Sequence, residues 1–419
     1  MSMYSSTILK SSIVDSSTHR SKFRTEWKLD ENCVYLPDFK VCNLGFLSAG
    51  ANQRVNFLTG QYGTINRISI YDGRTLLDEL VDANIYLAYK NCLQSQSNAE
   101  NNRNLAKHSL GFRFDSTTFS EKAIDPQNGN DGYLITNAES TSNLAVLELN
   151  KCMPLLRSMT HLPHDIFPNL RIVLEYDTDI RKFSRQNVID FVNNDPVLKI
   201  NKIEDEAQVK ALTNAMKSIS YMALEHDVYT LDALPIAGNS TSGGTEKIQS
   251  QKINGFNGKN INRMLIIQQF QDPNDAYTGG SSDGFANMGS FAMNNQSLQV
   301  KVNGANVLPS TRKGNNSLQA LHADSWGKIN GYYGCGMDNA RNAPSLVEKG
   351  NYLRGSLAYL GLNIMTQEVV SDLQIELGRN ALNHSDTSCL TNKGLIVHVY
   401  CEVPKSLIVK KGEYDLVYN

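Results

Sequence analysis

The sequence predicts an all-β protein of two domains, with a few short helices in loops. Three observations carry that prediction. Short apolar runs with period-two alternation recur from end to end, the pattern of strands that bury one face. Between them lie Asn-, Gly- and Ser-rich stretches, among them Asn101-Asn102, Asn193-Asn194, Asn294-Asn295 and Asn315-Asn316, whose residues suit turns. The chain has 419 residues, more than one hydrophobic core ordinarily serves, so two domains are expected.

Taken in order, the strand candidates are 65–71 (Ile-Asn-Arg-Ile-Ser-Ile-Tyr), 144–149 (Leu-Ala-Val-Leu-Glu-Leu) and 170–176, where Leu170, Ile172 and Leu174 share one face. Then come 264–270 (Met-Leu-Ile-Ile-Gln-Gln-Phe), 298–302, 373–377, 395–403 (Leu-Ile-Val-His-Val-Tyr-Cys-Glu-Val) and 407–418. Helical spacing is rarer. It predicts a helix over 75–92 from Leu76, Leu77, Leu80, Ile85 and Leu87, and a short surface helix from Glu204 to Met216. Two segments share a hairpin grammar: Ile68 to Leu77 around Asp72-Gly73, and Gln299 to Leu308 around Asn303-Gly304. Asp-Gly and Asn-Gly suit the positive φ angles of tight hairpin turns. Their similar placement in the two halves points to an internal duplication.

A Gly/Ser/Thr-rich stretch (Pro235 to Ser250) interrupts the apolar pattern. It divides the chain into an N-terminal arm (1–24), a first domain (25–235), a linker (236–250) and a second domain (251–419). The arm carries Lys10, Arg20, Lys22 and Arg24 against Asp15, and reads as a solvated segment or one that touches anionic lipid or genome. Forty basic against forty-two acidic residues leave no global field for nucleic-acid binding by counterion release. Hydrophobic residues at 41% exclude wholesale disorder. The seven cysteines (33, 42, 92, 152, 335, 389, 401) are odd in number and scattered, which predicts reduced thiols rather than a disulfide framework. Sequons at Asn239, Asn295, Asn315 and Asn383 are expected by chance in an Asn-rich chain. The start has no signal-peptide core, and no segment approaches eighteen apolar residues.

Chemistry-bearing patterns do not close. Gly279, Gly280 and Gly284 lack a following Gly-Lys-Ser/Thr, Asn254 to Gly258 lacks the lysine of a phosphate loop, and no nucleophile elbow or His-Glu-x-x-His pattern occurs. His161 and His164 are separated by Pro163, which argues against a shared helical face. Cys389, His398 and Cys401 invite a zinc reading. However, His398 and Tyr400 share one strand face and Cys401 takes the other, so sheet packing is expected. Asp372 and Glu376, and the loop acids Asp272, Asp275 and Asp283, read as a solvated edge and loop. Trp27, Trp326 and Tyr332-Tyr333 lack the basic interleaving of a nucleic-acid surface and read as core or interface packing. No catalytic, cofactor-binding or metal-ligating residue is assigned.

Three stretches carry a family resemblance. They are Pro154-Leu-Leu-Arg157 with His161 through Tyr176, the linker followed by Asn262-Arg263-Met264-Leu-Ile-Ile267, and the C-terminal pair Val397–Val403 and Leu407–Tyr418. Together they resemble the double jelly-roll major capsid proteins of DNA viruses, particularly the polinton-like, virophage and related lineages. The resemblance implies two tandem eight-stranded antiparallel jelly-roll sandwiches and a structural, non-enzymatic role in the virion, assembled inside the host cell. It implies a homotrimer forming a pseudo-hexagonal capsomer that tiles an icosahedral shell. Penton and minor capsid or cement proteins would be partners, with an internal membrane or genome near the N-terminal arm and no sequence-specific nucleic acid. Loops 271–295 and 310–350 are the expected interface contributors. The rival readings are a β-sandwich carbohydrate-binding or adhesion protein, and an enzyme built on a β-sandwich.

Overall fold

The computed structural model describes residues 5–10, 13–14, 24–29, 31–44, 53–55, 63, 65–92, 133–135, 145–177, 196–234, 246–271, 295–327, 359–380, 394–410 and 413–418. The leading part contributes β1 (Ser5–Lys10), β2 (Ile13–Val14), β3 (Arg24–Leu29), β4 (Val34–Tyr35), β5 (Lys40–Leu44), β6 (Gln53–Val55), β7 (Ile65–Asp72) and β8 (Thr75–Val81). It continues with α1 (Ala83–Cys92), β9 (Tyr133–Ile135), β10 (Ala145–Glu148), α2 (Pro154–Ser158), β11 (Leu162–Pro163), β12 (Leu170–Tyr176), β13 (Val197–Ile203) and α3 (Glu206–Ala215). One sheet runs β10-β5-β13-β4-β11 with β1 on β13, a second runs β2-β3-β12-β7-β8, and β6 pairs β9. Residues of both larger sheets share one core, with Trp27, Ile70 and Ile172 from one and Val41, Leu147 and Leu198 from the other.

The trailing part contributes β14 (Ile219–Leu231), β15 (Glu246–Ile253), β16 (Arg263–Phe270), β17 (Asn295–Val302), β18 (Ala305–Asn306), β19 (Arg312–Lys313) and α4 (Asn315–Trp326). It closes with β20 (Tyr359–Asn363), β21 (Leu373–Asn380), β22 (Leu395–Lys410) and β23 (Glu413–Tyr418). Its sheets are β14-β22-β16-β20, with β23 on β22, and β15-β21-β17-β18, with β19 on β17. With the two- and three-residue pieces set aside, eight described strands remain in each sandwich: β1, β3, β5, β7, β8, β10, β12 and β13, then β14 to β17 and β20 to β23.

Several expectations are corrected. The boundary does not lie at 236–250, because β14 pairs with β22 along Ile219↔Leu407 to Leu231↔Leu395 and so belongs to the second sandwich. Residues 246–250 of the expected linker are strand, paired to β21. The change from one sandwich to the other falls between Ala215 and Ile219, just after α3. A Gly/Ser-rich stretch reports where a chain turns, not which sheet its flanks join. The N-terminal arm is likewise partly sheet: Thr7 faces Ile200 and Leu9 faces Leu198 across the β1–β13 ladder. Leu9 packs against the core while Ile8 points outward.

The helix expected over 75–92 begins only at Ala83, and Thr75–Val81 is the return strand of a hairpin. Ile70 faces Asp78 and Tyr71 faces Leu76, so Leu77 is an extra residue, a β-bulge. The bulge breaks strict alternation and buries Leu77 and Asp78 side by side, which mimics helical spacing. The turn residues are Gly73 and Arg74 rather than Asp72 and Gly73, with Gly73 at φ +55. In the second hairpin Asn303 (φ +51) and Gly304 (φ +79) both adopt the left-handed backbone of the expected tight turn. The C-terminal strands divide differently from the expectation. β22 is a 16-residue strand that runs through Pro404, whose missing N–H the ladder tolerates opposite Met222. α3 is as expected, with the Asp205 carboxylate accepting from the Gln208 N–H at 2.9 Å as an N-cap.

Candidate functional site at the seam between the sandwiches

The sheet β14-β22-β16-β20 has no solvent side over its centre. Along β22, Val397, Val399, Cys401 and Val403 enter the core of the second sandwich, while Tyr400 belongs to the core of the first. Along β16, Met264 and Ile266 face one way and Leu265 and Ile267 the other. In β20, Leu360 and Leu362 face the second core and Tyr359 the first. Burial on both faces explains why these segments read as near-continuous apolar runs. One hydrophobic core therefore extends from Trp27 in β3 to Leu265, Ile267, Tyr359 and Tyr400.

α1 fills the seam. It leaves the end of β8 and lays Tyr86 against Tyr400 (ring centroids 5.3 Å) and Tyr89 against Tyr359 (5.1 Å). Tyr89 also meets the edge of Trp326 at 6.3 Å, and its hydroxyl lies 2.9 Å from His322 Nε2. Such tilted and edge-on pairs add attraction beyond the area they bury. Trp326 reaches this position because β20 has Gly361 below it, where a Cβ would come within 2.6 Å of the indole. The Trp326 N–H donates to Met264 O at 2.8 Å. Arg263 forms a two-pronged ion pair with Glu402, donates to Ser325 O at 2.6 Å and stacks over the Trp326 ring.

Tyrosine hydroxyls stitch the two sandwiches together. Tyr221 in β14 donates to Leu77 O at 2.5 Å, Tyr400 to Asp82 O at 3.0 Å, and Tyr414 in β23 to the Asp72 carboxylate at 2.9 Å. The electrostatics of the seam follow from its dryness. Burial pushes the Asp78 carboxyl up to about 7 although the Leu155 and Glu79 N–H groups donate to it. Burial pushes the His322 imidazole down to about 4. His226 in β14 is also pushed down to about 4, by burial first and by neighbouring His398 second.

Beside the tyrosines lies a triangle of donor atoms. His226 Nε2 is 3.1 Å from His398 Nδ1, His398 Nδ1 is 3.3 Å from Asp82 Oδ2, and His226 Nε2 is 3.6 Å from Asp82 Oδ2. Asp82 comes from the first sandwich and both histidines from the second. Among the described residues this is the one group of three such ligand-bearing side chains.

Residues singled out from the sequence are mostly elsewhere. Trp27 is core. His161 bridges Thr160 Oγ1 (2.7 Å) and Leu212 O (3.1 Å), and His164 bonds Cys33 O through its backbone. Asp372 pairs with Lys252 and Glu376 with Lys301. His398 and Cys401 do take opposite faces, but His398 finds His226 and Asp82, which no local spacing could reveal. Asn295 is 1% exposed, so its sequon is buried. Cys33, Cys152 and Cys401 are buried free thiols. Cys389, Tyr332-Tyr333, Asp272, Asp275, Asp283 and loop residues 272–294 and 328–350 lie outside the described residues.

No family model matches the sequence, and no curated protein matches it. In three dimensions the chain is similar to the capsid structure of the virus PBCV-1, with TM-score 0.60 and 9% identity over 99% of this chain and 97% of that one. It is similar to the mavirus major capsid protein, with TM-score 0.55 and 8% identity over 99% and 90%. It is also similar to the Faustovirus major capsid protein, with TM-score 0.53 and 7% identity over 97% and 90%. The likeness spans both sandwiches and establishes the fold as the expected double jelly roll.

Two outcomes are expected at the seam. Ile267→Ala, which opens a void between the sandwiches, lowers stability by about 2–5 kcal/mol in a denaturant titration. His322 is neutral in the fold and its pKa is depressed, so its contribution is present above about 6.5 and lost as pH falls toward about 4. That depression corresponds to about 3 kcal/mol. Asp78, with a raised pKa, acts in the opposite sense. Comparing His322→Gln with wild type at pH 4.5 and 7 isolates the histidine: the variant loses less stability on acidification.

Proposed function

We propose that this chain is a major capsid protein, the structural subunit of an icosahedral viral shell, and that its work is done by surfaces rather than by an active site. The observation that carries the reading is the pair of jelly rolls packed so that the core of the first extends onto the sheet of the second, in a fold similar to viral capsid structures over nearly the whole of both chains. Two sandwiches locked side by side give each subunit two similar lobes. Three subunits around an axis then present six lobes, a pseudo-hexagonal capsomer that closes by one repeated interface.

The subunit also carries apolar side chains that a shell would cover. Ile8 on edge strand β1 is 64% exposed, and Ile248 on edge strand β15 is 62% exposed. Met365 and Val369 are also exposed, both in the loop between β20 and β21. Edge strands with open N–H and C=O groups are places where a neighbouring chain can add. Capsomer neighbours, penton and cement proteins are the partners this reading assigns, and the virion shell is its location.

The test is the native mass in solution by light scattering. One chain is 46.5 kDa, so a trimer weighs about 140 kDa. The reading predicts that species, or shells built from it. A monomer that persists across micromolar concentrations contradicts it.

A further inference from the structure

The Asp82–His226–His398 triangle holds a chemical constraint. His398 Nε2 lies 2.9 Å from the side-chain amide oxygen Oε1 of Gln269, an acceptor, so in this arrangement Nε2 carries the proton and donates. A neutral His398 therefore presents the lone pair of Nδ1, and that lone pair faces the Asp82 carboxylate at 3.3 Å. Two acceptors at this distance need a shared partial or full positive charge, supplied either by a His226 Nε2–H, 3.1 and 3.6 Å from them, or by a metal ion that all three atoms bind.

The geometry points to a site for one divalent transition-metal ion, zinc by its ligand set, which clasps the first sandwich to the second; we propose it on three grounds. The first is spacing. A tetrahedral ion with bonds of about 2.0–2.1 Å holds its ligand atoms about 3.3–3.4 Å apart. The three edges here are 3.1, 3.3 and 3.6 Å.

The second ground is support. Metal-bound histidines donate their other ring N–H to an oxygen that fixes the ring, as Gln269 does for His398. The third is backbone strain. Asp82 sits at φ +47, and its carbonyl is held by the Ile85 and Tyr86 N–H groups and the Tyr400 hydroxyl. That conformation turns the carboxylate toward the imidazoles, and Asp is among the few residues that tolerate it.

The histidine side chains are each 5% exposed. To bind a metal, His226 presents its Nε2 lone pair and carries its proton on Nδ1. Two imidazole nitrogens and one carboxylate oxygen suit zinc, with water as a fourth ligand on the side of Asp82, whose side chain is 16% exposed. This site uses groups of a single chain and does not depend on the shell reading.

The test uses the full-length purified protein, stripped with a chelator and titrated with Zn²⁺ by calorimetry. Elemental analysis follows, and Co²⁺ serves as a spectroscopic probe. The expected result is one ion per chain, a raised thermal midpoint, and a visible Co²⁺ spectrum of a four-coordinate site. Asp82→Gly removes the carboxylate while suiting the positive φ, and is expected to weaken binding at least tenfold with the circular dichroism unchanged. Folded wild-type protein that binds no Zn²⁺ overturns the inference. Equal affinity in Asp82→Gly also overturns it, because the ion then lies elsewhere.

Discussion

Burial of a β-sheet on both faces is a demanding condition, because every side chain along its central strands must then be accommodated by packing. In this protein β16, β20 and β22 meet that condition between two cores: Met264, Ile266, Val397 and Val399 fill one, and Leu265, Ile267, Tyr359 and Tyr400 fill the other. The consequence is mechanical. A jelly roll alone is a complete fold, and two of them on a tether would move independently. Here the outer face of one sandwich is the wall of the other's core, so relative movement would expose apolar surface at roughly 25 cal/mol per Å². The tyrosine hydroxyls that cross the seam to Leu77, Asp82 and Asp72 fix the register of the contact.

The strands were legible in the sequence wherever one rule governed them. Leu170–Tyr176 alternates against two neighbours, and Asn303-Gly304 turns as its residue types dictate. Legibility failed where two rules collided. In Thr75–Val81 the bulge at Leu77 produced apolar spacing that suited a helix as well as a strand. The helix α4 went unread because its polar composition gives no apolar stripe, and it is held by Leu318, His322 and Trp326 against sheet and seam. The Gly/Ser-rich stretch does not mark the junction between sandwiches, which is the three residues Met216 to Ser218 just after α3, with no Gly or Pro among them. Strand partnership across 188 residues, as between Ile219 and Leu407, is a property of the whole fold.

The seam and its triangle were the least legible part. Asp82, His226 and His398 are far apart along the chain and belong to a strand end and two strand interiors. His398 drew attention beside Cys401, and alternation correctly separated the two. What alternation could not supply was a partner, since His226 reaches it only through the antiparallel register of β14 on β22. The near-continuous apolar run from Met264 to Ile267 was the one signal that its sheet is covered twice.

The seam joins the two jelly rolls into one cooperative unit, as a rigid building block requires. Native-state hydrogen exchange gives each amide an opening free energy and so reads this cooperativity strand by strand. In a single cooperative unit β7 and β12 in the first sandwich and β16 and β22 in the second open with the same free energy, equal to that of global unfolding. Opening of the first-sandwich strands at a distinctly lower free energy, while β16 and β22 stay protected, would contradict it.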